Sequence, residues 1–265
     1  SRPAPRSTKG GLCGTCAPFW NPTRLPSTSA SASAAAPALM WAREGLQVAL
    51  ADPNSVTPWH RDARDRRVYA FAPHNARLLD ELGAWAQVAA SRVQPYRGMR
   101  VWDAAGGDAL VFDADSLGQP QLGWIVENAL LVDALWRALP AAGVRVHCPA
   151  RIEALEQHET GVRVRLDDGL ALDARLAIAA DGGNSALRAM AGIGATRREY
   201  GQKGLVAFVA SEHPHRETCL QRFLPGGHPG EEEARAEAPW RPGRRDPVGD
   251  VVQARGVEQF HVLAV

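Results

Sequence analysis

Two kinds of hydrophobic spacing alternate along the middle of the chain, from about residue 41 to residue 227. The stretch ENALLVDALWRALP (127–140) spaces its leucines four residues apart, which predicts a helix with one apolar face and Asn128 as its cap. The stretch PHNARLLDELGAW (73–85) has similar spacing and also predicts a helix. Before it, WAREGLQVALAD (41–52) predicts the end of a helix followed by a buried strand.

The segments after the predicted helix of residues 127–140 have the two-residue alternation that is typical of strands. VRVHC (144–148), RIEALEQ (151–157) and GVRVRL (161–166) predict three short strands. Asp168-Gly169 predicts a hairpin turn that leads into a further strand, LALDARLAIAA (170–180). Because helices alternate with strands, we predict an α/β fold with a β-meander inserted before residue 181.

Both ends of the chain differ in composition from this middle part. Residues 1–40 are rich in Ser, Ala, Pro and Gly, so we predict that they are disordered. Residues 228–265 combine a block of charges with several prolines, which predicts an irregular tail. Cys13 and Cys16 have the spacing of a redox pair or of half a zinc site. Since no second ligand pair follows at a suitable distance, we predict no metal site.

Charge, hydropathy and cysteine content limit the partners and the location that we expect for this chain. The 30 basic and 29 acidic side chains leave a net charge of +1, so nucleic acid is not an expected partner. No apolar run reaches the roughly 18 residues of a membrane-spanning helix. Four scattered cysteines do not form a disulfide framework, which favours a reducing, cytoplasmic location.

Asp52 is the first candidate for chemistry, because it ends the predicted strand of residues 41–52. Dinucleotide-binding βαβ units place an acid at this point, where its carboxylate accepts hydrogen bonds from ribose hydroxyls. The glycine-rich G-x-G-x-x-G turn of such units lies about 20 residues earlier, and the corresponding stretch RLPSTSASASAAAPALM (24–40) has no such motif. An acid that merely ends a strand in solvent is the structural alternative.

The stretch AIAADGGNSALRAMAGI (177–193) is the second candidate. Asp181 and Gly182 follow a predicted strand, at the edge of the sheet where open α/β folds bind ligands. Gly182 and Gly183 would let a phosphate or a ribityl chain approach the backbone. The alternative is a structural turn, in which Asn184 or Ser185 caps the next helix.

Taken together and in this order, these stretches resemble the flavin-dependent aromatic hydroxylases of the para-hydroxybenzoate hydroxylase class, and most of all the ubiquinone-biosynthesis hydroxylases. The matching stretches are AREGLQVALAD, RRVYAFAPHNARLLDELGAW, GWIVENALLVDAL, LAIAADGGNSALR, REYGQKGLVAFVASEHPH and QRFLPGG. The resemblance implies a Rossmann-like domain that binds FAD or NAD(P), together with a partial β-sheet substrate domain. The first would occupy residues 41–97 and 126–195, without the family's first strand, and the second residues 98–125 and 196–227.

The resemblance also implies roles for individual residues. The implied cofactor-binding positions are Asp52, Arg67, Asn128, Asp181, Gly182 and Arg188. Asp52 matches the ribose-binding acid, and Arg67 matches an arginine that contacts the flavin nucleotide. Asn128 stands where many relatives carry an arginine, and Val132 stands where they often carry a glutamine. Asp181 and Gly182 match an Asp-Gly motif that serves both FAD and the pyrophosphate of the nicotinamide cofactor, and Arg188 completes that motif.

The reaction implied by the resemblance is hydroxylation of an aromatic ring. NAD(P)H reduces FAD, and one atom of dioxygen then passes to an electron-rich phenol, expected to be a polyprenylated intermediate of ubiquinone biosynthesis. We assign no nucleophile or general base, since His74, His213 and His215 fit structural or surface roles better. Peripheral contact with the inner membrane face and with other quinone-biosynthesis enzymes is expected.

Two other interpretations remain open. The chain lacks the family's glycine-rich turn and its C-terminal Gly-Asp motif, which fits an inactive fragment of such an enzyme. In that case the reading frame would shift near residues 40 and 227, or the gene would be degenerate. A nicotinamide-dependent dehydrogenase is the third interpretation, supported by Asp52 and by the α/β pattern alone.

Overall fold

A computed structural model describes residues 30–103, 106–197, 204–209, 211, 214–223, 250–255 and 259–263. Its α-helices are α1 (Ala30–Arg43), α2 (Pro73–Glu81), α3 (Trp85–Ala89), α4 (Asn128–Ala138) and α5 (Ala186–Met190). Its first seven strands are β1 (Ala49–Ala51), β2 (Val68–Phe71), β3 (Val93–Tyr96), β4 (Gly98–Asp103), β5 (Leu110–Asp113), β6 (Gly123–Glu127) and β7 (Arg145–His147). The others are β8 (Ile152–His158), β9 (Gly161–Leu166), β10 (Ala171–Ala174), β11 (Gly204–Val209), β12 (Thr218–Phe223), β13 (Asp250–Arg255) and β14 (Gln259–Leu263).

Helix α4 is the centre of the main hydrophobic core. Its leucines at four-residue spacing, Leu131 and Leu135, are buried together with Leu139, as their spacing predicts. The prediction that Asn128 caps this helix is wrong. Glu127 holds the cap position in extended backbone, and the helix begins with Asn128, whose side chain bonds elsewhere.

Helix α1 corrects the prediction that residues 1–40 are disordered. Residues 1–29 lie outside the described part of the chain, but Ala30–Arg43 form a helix. Its Ala35, Ala38 and Leu39 are buried in the core that includes α4. Alanine has the highest helix propensity, and its small side chain lets two helices approach closely, so an alanine-rich stretch folds without an amphipathic pattern of charges.

The parallel pair of strands β1 and β7 carries the α/β part of the fold. Leu50 of β1 lies beside Val146 of β7, and the backbone pairing continues beyond β1 from the Asp52 N–H to the His147 carbonyl, at 3.1 Å. The carboxyl ends of both strands therefore meet at one edge, where α/β sheets bind ligands.

The predicted β-meander is confirmed. Strands β8, β9 and β10 form an antiparallel sheet, and Gly169 takes a positive φ of 84° in the turn between β9 and β10. The last of these strands ends at Ala174, however, and not at residue 180 as predicted. Within the described residues, no strand pairs with residues 175–180, so their backbone has no ladder partner and Leu176 is 70% exposed.

Two antiparallel or mixed sheets complete the described fold. Strand β6 lies between β2 and β3, and it begins at Gly123, where any Cβ atom would overlap the carbonyl oxygen of Phe71. The boundary that the sequence predicts between the substrate domain and the FAD-binding domain, at residues 125 and 126, falls inside strand β6. The larger sheet has the strand order β11-β13-β14-β12-β4-β5.

The larger sheet also corrects the prediction of an irregular tail over residues 228–265. Strands β13 and β14 lie within that range and pair with each other and with β11 and β12. Their short apolar stretches, VVQA and FHVL, are rich in residues that favour strands, a signal that the block of charges before them outweighed in the prediction. The rest of that range lies outside the described residues. Among the described helices, none is long and apolar enough to cross a membrane.

Candidate cofactor-binding site

Asp52 lies at the carboxyl edge of β1 and β7, in a tight local arrangement. Its side chain is 4% exposed, and one carboxylate oxygen accepts a hydrogen bond from the Asn54 N–H at 2.8 Å. The Cys148 thiol donates to the Asn54 carbonyl at 3.2 Å. Burial and the nearby Asp52 charge raise the pKa of Cys148 above its ordinary value, which keeps the thiol protonated.

Arg67 ends the long loop between β1 and β2, and Asp65 holds it in place. One oxygen of Asp65 accepts hydrogen bonds from the Arg67 backbone N–H at 3.0 Å and from Nε at 3.2 Å. The other oxygen accepts from Nη2 of Arg67 at 3.1 Å. A guanidinium bound along one edge by both oxygens of a carboxylate that also accepts its own backbone N–H has little freedom to rotate, so its position is set before any ligand binds.

The Asp65 carboxylate also binds the first turn of α4. The second oxygen accepts from the Ala129 N–H at 3.1 Å and from Nδ2 of Asn128 at 3.3 Å. An acid at this position satisfies a free N–H of the helix and complements the positive end of the helix dipole. Burial alone would raise the pKa of Asp65, but the bonds and charge of Arg67 and the Asn128 amide outweigh it and lower that pKa.

Asn128 is enclosed by protein groups. Its side chain is 1% exposed, its Oδ1 accepts a hydrogen bond from the Tyr69 hydroxyl at 2.9 Å, and its Nδ2 donates to Asp65. The structure therefore places the Asn128 side chain behind the Asp65–Arg67 pair, where it supports that pair. Val132, one turn further along α4, is buried in the same helix.

A second ion pair, Arg92 with Glu127, lies next to this arrangement. Nε and Nη2 of Arg92 donate to the two Glu127 oxygens at 2.9 and 2.8 Å. The guanidinium also lies 5.6 Å from the centre of the Trp59 ring, and Nε1 of Trp59 donates to Glu127 at 3.1 Å. The loop that carries Arg67 is thus attached to the end of β6.

The Asp181 group forms a separate turn at the start of α5. Asp181 accepts from the Leu187 N–H at 3.1 Å, and Ser185 caps the helix by accepting from the Arg188 N–H at 2.9 Å. Burial tends to raise the pKa of Asp181. Hydrogen bonds from the Ser185 hydroxyl and from three backbone N–H groups outweigh burial, so the pKa of Asp181 lies below its ordinary value. This is the helix-capping turn that we considered as the structural alternative.

The glycines of this turn leave space in front of the backbone. Gly182 has a φ of +83°, a conformation that favours glycine, and a Cβ atom at Gly183 would meet no heavy atom within 4 Å. The Arg188 guanidinium folds back and donates to the Gly183 carbonyl at 3.3 Å. The turn therefore presents open backbone beside a positively charged side chain.

The comparison with family models decides which kind of cofactor this architecture serves. Residues 38–234 match the model described as an FAD-binding domain. The chain belongs to this family of FAD-binding domains. The flavoprotein family and its cofactor FAD, both expected from the resemblance, are thereby confirmed. The match favours a flavoprotein over the nicotinamide-dependent dehydrogenase.

Curated relatives of this FAD-binding domain carry the names of ubiquinol and ubiquinone hydroxylases. The chain is 35% identical over 208 residues to 3-demethoxyubiquinol 3-hydroxylase of Escherichia coli, covering 78% of the chain and 53% of that protein. It is 35% identical over 189 residues to ubiquinone hydroxylase UbiL of Rhodospirillum rubrum, covering 70% of the chain and 43% of that protein. The chain thus spans about half the length of the curated relatives that it matches.

Solved structures share the fold of this FAD-binding domain. PqsL of Pseudomonas aeruginosa, in complex with 2-aminobenzoylacetate, superposes with a TM-score of 0.62 at 20% identity, over 88% of the chain and 57% of that protein. The flavin-dependent monooxygenase PieE, in complex with FAD and substrate, gives a TM-score of 0.57 at 19% identity, over 90% of the chain and 42% of that protein. The predicted α/β, FAD-binding Rossmann-like fold is confirmed.

The residues present fit the nucleotide part of FAD. Asp52 provides a carboxylate at the carboxyl edge of two parallel strands, and Nε2 of neighbouring His147 is buried without a hydrogen-bond partner among the described atoms. Arg67 provides a fixed positive charge for a phosphate. Gly183 provides backbone that a ligand can approach without meeting a side chain.

The six predicted site residues fall into three local groups. Asp65 joins Arg67 to Asn128, Asp52 lies with Asn54 and Cys148, and the remaining three lie in the turn before α5 or, for Arg188, on that helix. Sequence reasoning missed Asp65, Arg92 and Glu127. A signal for two of them was present, because Asp65 stands two positions before Arg67 and Glu127 directly precedes Asn128.

The other candidate residues lie apart from these groups. His74 is exposed on α2, and the imidazole of His215 accepts a hydrogen bond from the Glu217 N–H at 2.9 Å in a turn. Cys13, Cys16 and His213 lie outside the described residues. In the part of the chain that the structure describes, no group of three acidic, histidine or cysteine side chains could hold a metal ion.

Proposed function

We propose that this chain is the cofactor-binding part of an FAD-dependent monooxygenase that hydroxylates an aromatic intermediate of ubiquinone biosynthesis. The observation that carries the proposal is the 35% identity with a 3-demethoxyubiquinol 3-hydroxylase over 208 residues. The geometry supports it, since the site offers a carboxylate, a fixed arginine and open glycine backbone, the groups that a dinucleotide needs.

The residues of the chain hold and orient the cofactor. Asp52 accepts hydrogen bonds from the ribose hydroxyls, and Arg67 neutralises a phosphate charge. Gly182 and Gly183 allow the cofactor to pass close to the backbone, and Arg188 adds positive charge beside it. When bound, FAD supplies the chemistry that activates dioxygen, with NAD(P)H as the reductant.

The substrate is proposed to be a polyprenylated phenol. The names of the relatives support this choice, because ubiquinone and its precursors are prenylated aromatic compounds. Strand β5 exposes three consecutive apolar side chains, Leu110, Val111 and Phe112. Leu110 and Phe112 share one face of the strand, and this exposed apolar pair supports peripheral contact with the cytoplasmic face of a membrane, where a prenylated substrate and other enzymes of the pathway would meet the protein.

The visible absorption spectrum of the purified full chain, before and after addition of FAD, tests this proposal. We expect a flavin band that remains with the protein through gel filtration. FAD-bound protein is then mixed with NADH or NADPH and a prenylated phenol, and the product is examined by mass spectrometry for one added oxygen atom. A chain that does not retain FAD contradicts the proposal. Retention of FAD without product would mean that hydroxylation needs the part of the relatives that this chain does not span.

A further inference from the structure

The loop between Asp52 and β2 has no regular secondary structure, yet it is fastened at several points by one side chain. Arg92 of the segment before β3 donates from Nη1 to the Arg61 carbonyl at 2.6 Å and from Nη2 to the Ala63 carbonyl at 2.5 Å. The same guanidinium holds Glu127 and covers Trp59. Arg92 therefore connects three points of the loop to the end of β6.

The Arg92–Glu127 pair is largely removed from water. The Arg92 side chain is 26% exposed and the Glu127 side chain 11%. Such a pair adds little net stability, because the loss of hydration offsets the attraction between the charges. Its directional bonds instead favour one conformation of the groups that it touches, which here are the side chain of Trp59 and the carbonyls of Arg61 and Ala63.

The same junction fixes the far end of the loop. Asn128, the residue after Glu127, donates its backbone N–H to the Arg67 carbonyl at 2.9 Å, and Ala129 binds Asp65. Three successive residues of this strand-to-helix turn thus hold separate points of the loop. A shift at Glu127 would be transmitted over a few residues to the Arg67 guanidinium.

We propose that Arg92 and Glu127 are positioning residues, which set the loop of residues 59–67 so that Arg67 meets a phosphate of the cofactor. This inference rests on the proposed function, since it requires that FAD binds. Neither residue contacts the cofactor. They act by fixing the loop in its binding conformation before the cofactor arrives, which removes the cost of ordering the loop on binding.

Two conservative variants and one matched control test the inference in the full chain. Glu127→Gln removes the negative charge of the pair. Arg92→Lys keeps the positive charge but loses the planar set of donors. Asp133→Asn is the control, because the Asp133 carboxylate is also mostly buried and paired with an arginine, but it lies on α4 and binds Gln87 and Arg137, away from the loop. Fluorescence titration gives the Kd for FAD, and thermal unfolding gives each Tm.

We expect both loop variants to raise the Kd for FAD by about tenfold, and Asp133→Asn to leave it within about twofold at a similar loss of Tm. In an Arg67→Met background, Arg92→Lys should add no further loss of affinity, because both changes remove the same contact. Equal losses of affinity in the control, or additive effects with Arg67→Met, would overturn the inference and leave only a contribution to stability.

Hydrogen exchange of the wild-type chain provides a test that needs no variant to fold. The amides of Ala63 and Arg67, which donate to the His60 carbonyl and to the Asp65 carboxylate, should already exchange slowly without FAD, because the ion pair holds the loop. Fast exchange that slows only after FAD is added would contradict the inference. If the wild-type chain does not bind FAD at all, the proposed function fails and this inference fails with it. If FAD binds equally well to wild type and to both variants, this inference alone fails.

Discussion

Both oxygens of the Asp65 carboxylate bind Arg67: one accepts hydrogen bonds from the backbone N–H and Nε, and the other accepts from Nη2. The same carboxylate accepts the N–H of Ala129 at the start of α4. Arg67 is therefore fixed relative to the helix without a ligand. A guanidinium fixed in this way loses little conformational entropy when a phosphate binds to it.

Replacing Asp65 by Asn should weaken both the fold and the cofactor site. The amide has one acceptor oxygen and cannot satisfy both Arg67 and the Ala129 N–H. We expect the free energy of unfolding to fall by about 2 kcal/mol, as measured by urea denaturation, and the Kd for FAD to rise. Asp115→Asn removes an exposed partner of Arg97 and should change the free energy of unfolding by less than about 0.5 kcal/mol.

The stabilising effect of Asp65 should depend on pH with a definite sign. Its pKa in the folded chain lies below the ordinary value of 3.8 that describes the unfolded chain. The stabilisation is therefore complete above pH 3.8 and is lost as the pH falls through the folded pKa. The difference in unfolding free energy between wild type and Asp65→Asn should be constant near neutral pH and shrink below about pH 4. A difference that grows on acidification would show that the sign is wrong.

Two glycines should respond differently to alanine. At Gly183 a Cβ atom meets no heavy atom within 4 Å, so Gly183→Ala should leave the Tm unchanged while it raises the Kd for FAD, because the methyl group occupies the approach to the backbone. At Gly123 the methyl group would overlap the carbonyl of Phe71, so Gly123→Ala should lower the Tm strongly. Unchanged FAD affinity in Gly183→Ala would argue against cofactor passage at this turn.

The packing of α4 predicts a large loss of stability from a single leucine. Leu135 is fully buried in the main core, and Leu135→Ala should lower the unfolding free energy by about 2–5 kcal/mol through lost burial and the cavity that remains. Leu176 is mostly exposed, and Leu176→Ala should cost less than about 0.5 kcal/mol. Chemical denaturation of both variants provides the comparison.

Cys219 should be the less reactive of the two described cysteines. Burial raises its pKa to about 12, so almost no thiolate is present at neutral pH and the sulfur is shielded from reagents. Iodoacetamide labelling with peptide mapping should show slow modification of Cys219 in the folded chain and rapid modification in urea. Rapid labelling without denaturant would contradict the burial of Cys219.

The predictions from sequence succeeded where the pattern is local. Helix α4 and the β-meander follow from leucines at four-residue spacing and from an Asp-Gly turn between alternating strands. Helix α1 was missed because its alanines and serines carry no amphipathic signal; only packing against α4 shows that they are ordered. The strand expected before Asp181 ends at Ala174, because a strand also needs a neighbour that its own sequence does not reveal.

The residues of the candidate site likewise divide into those that a local sequence pattern reveals and those that only the fold brings together. Asp52, Arg67 and Asp181 could be named in advance because each lies within a recognisable stretch. Arg92 and Glu127 could not, since they are 35 positions apart in the chain and only the pairing of β3 with β6 brings them together. The enclosed state of Asn128 depends likewise on Tyr69, which lies on a neighbouring strand.

The parallel pairing of β4 with β12 has a kinetic consequence. Gly98 lies beside Thr218, so two segments from distant parts of the chain must meet before this side of the larger sheet exists. Contacts between distant segments form slowly, because the chain between them must first be confined. The helices and the β-meander, which rely on near neighbours, should therefore assemble early during refolding. The larger sheet should close last and set the overall rate.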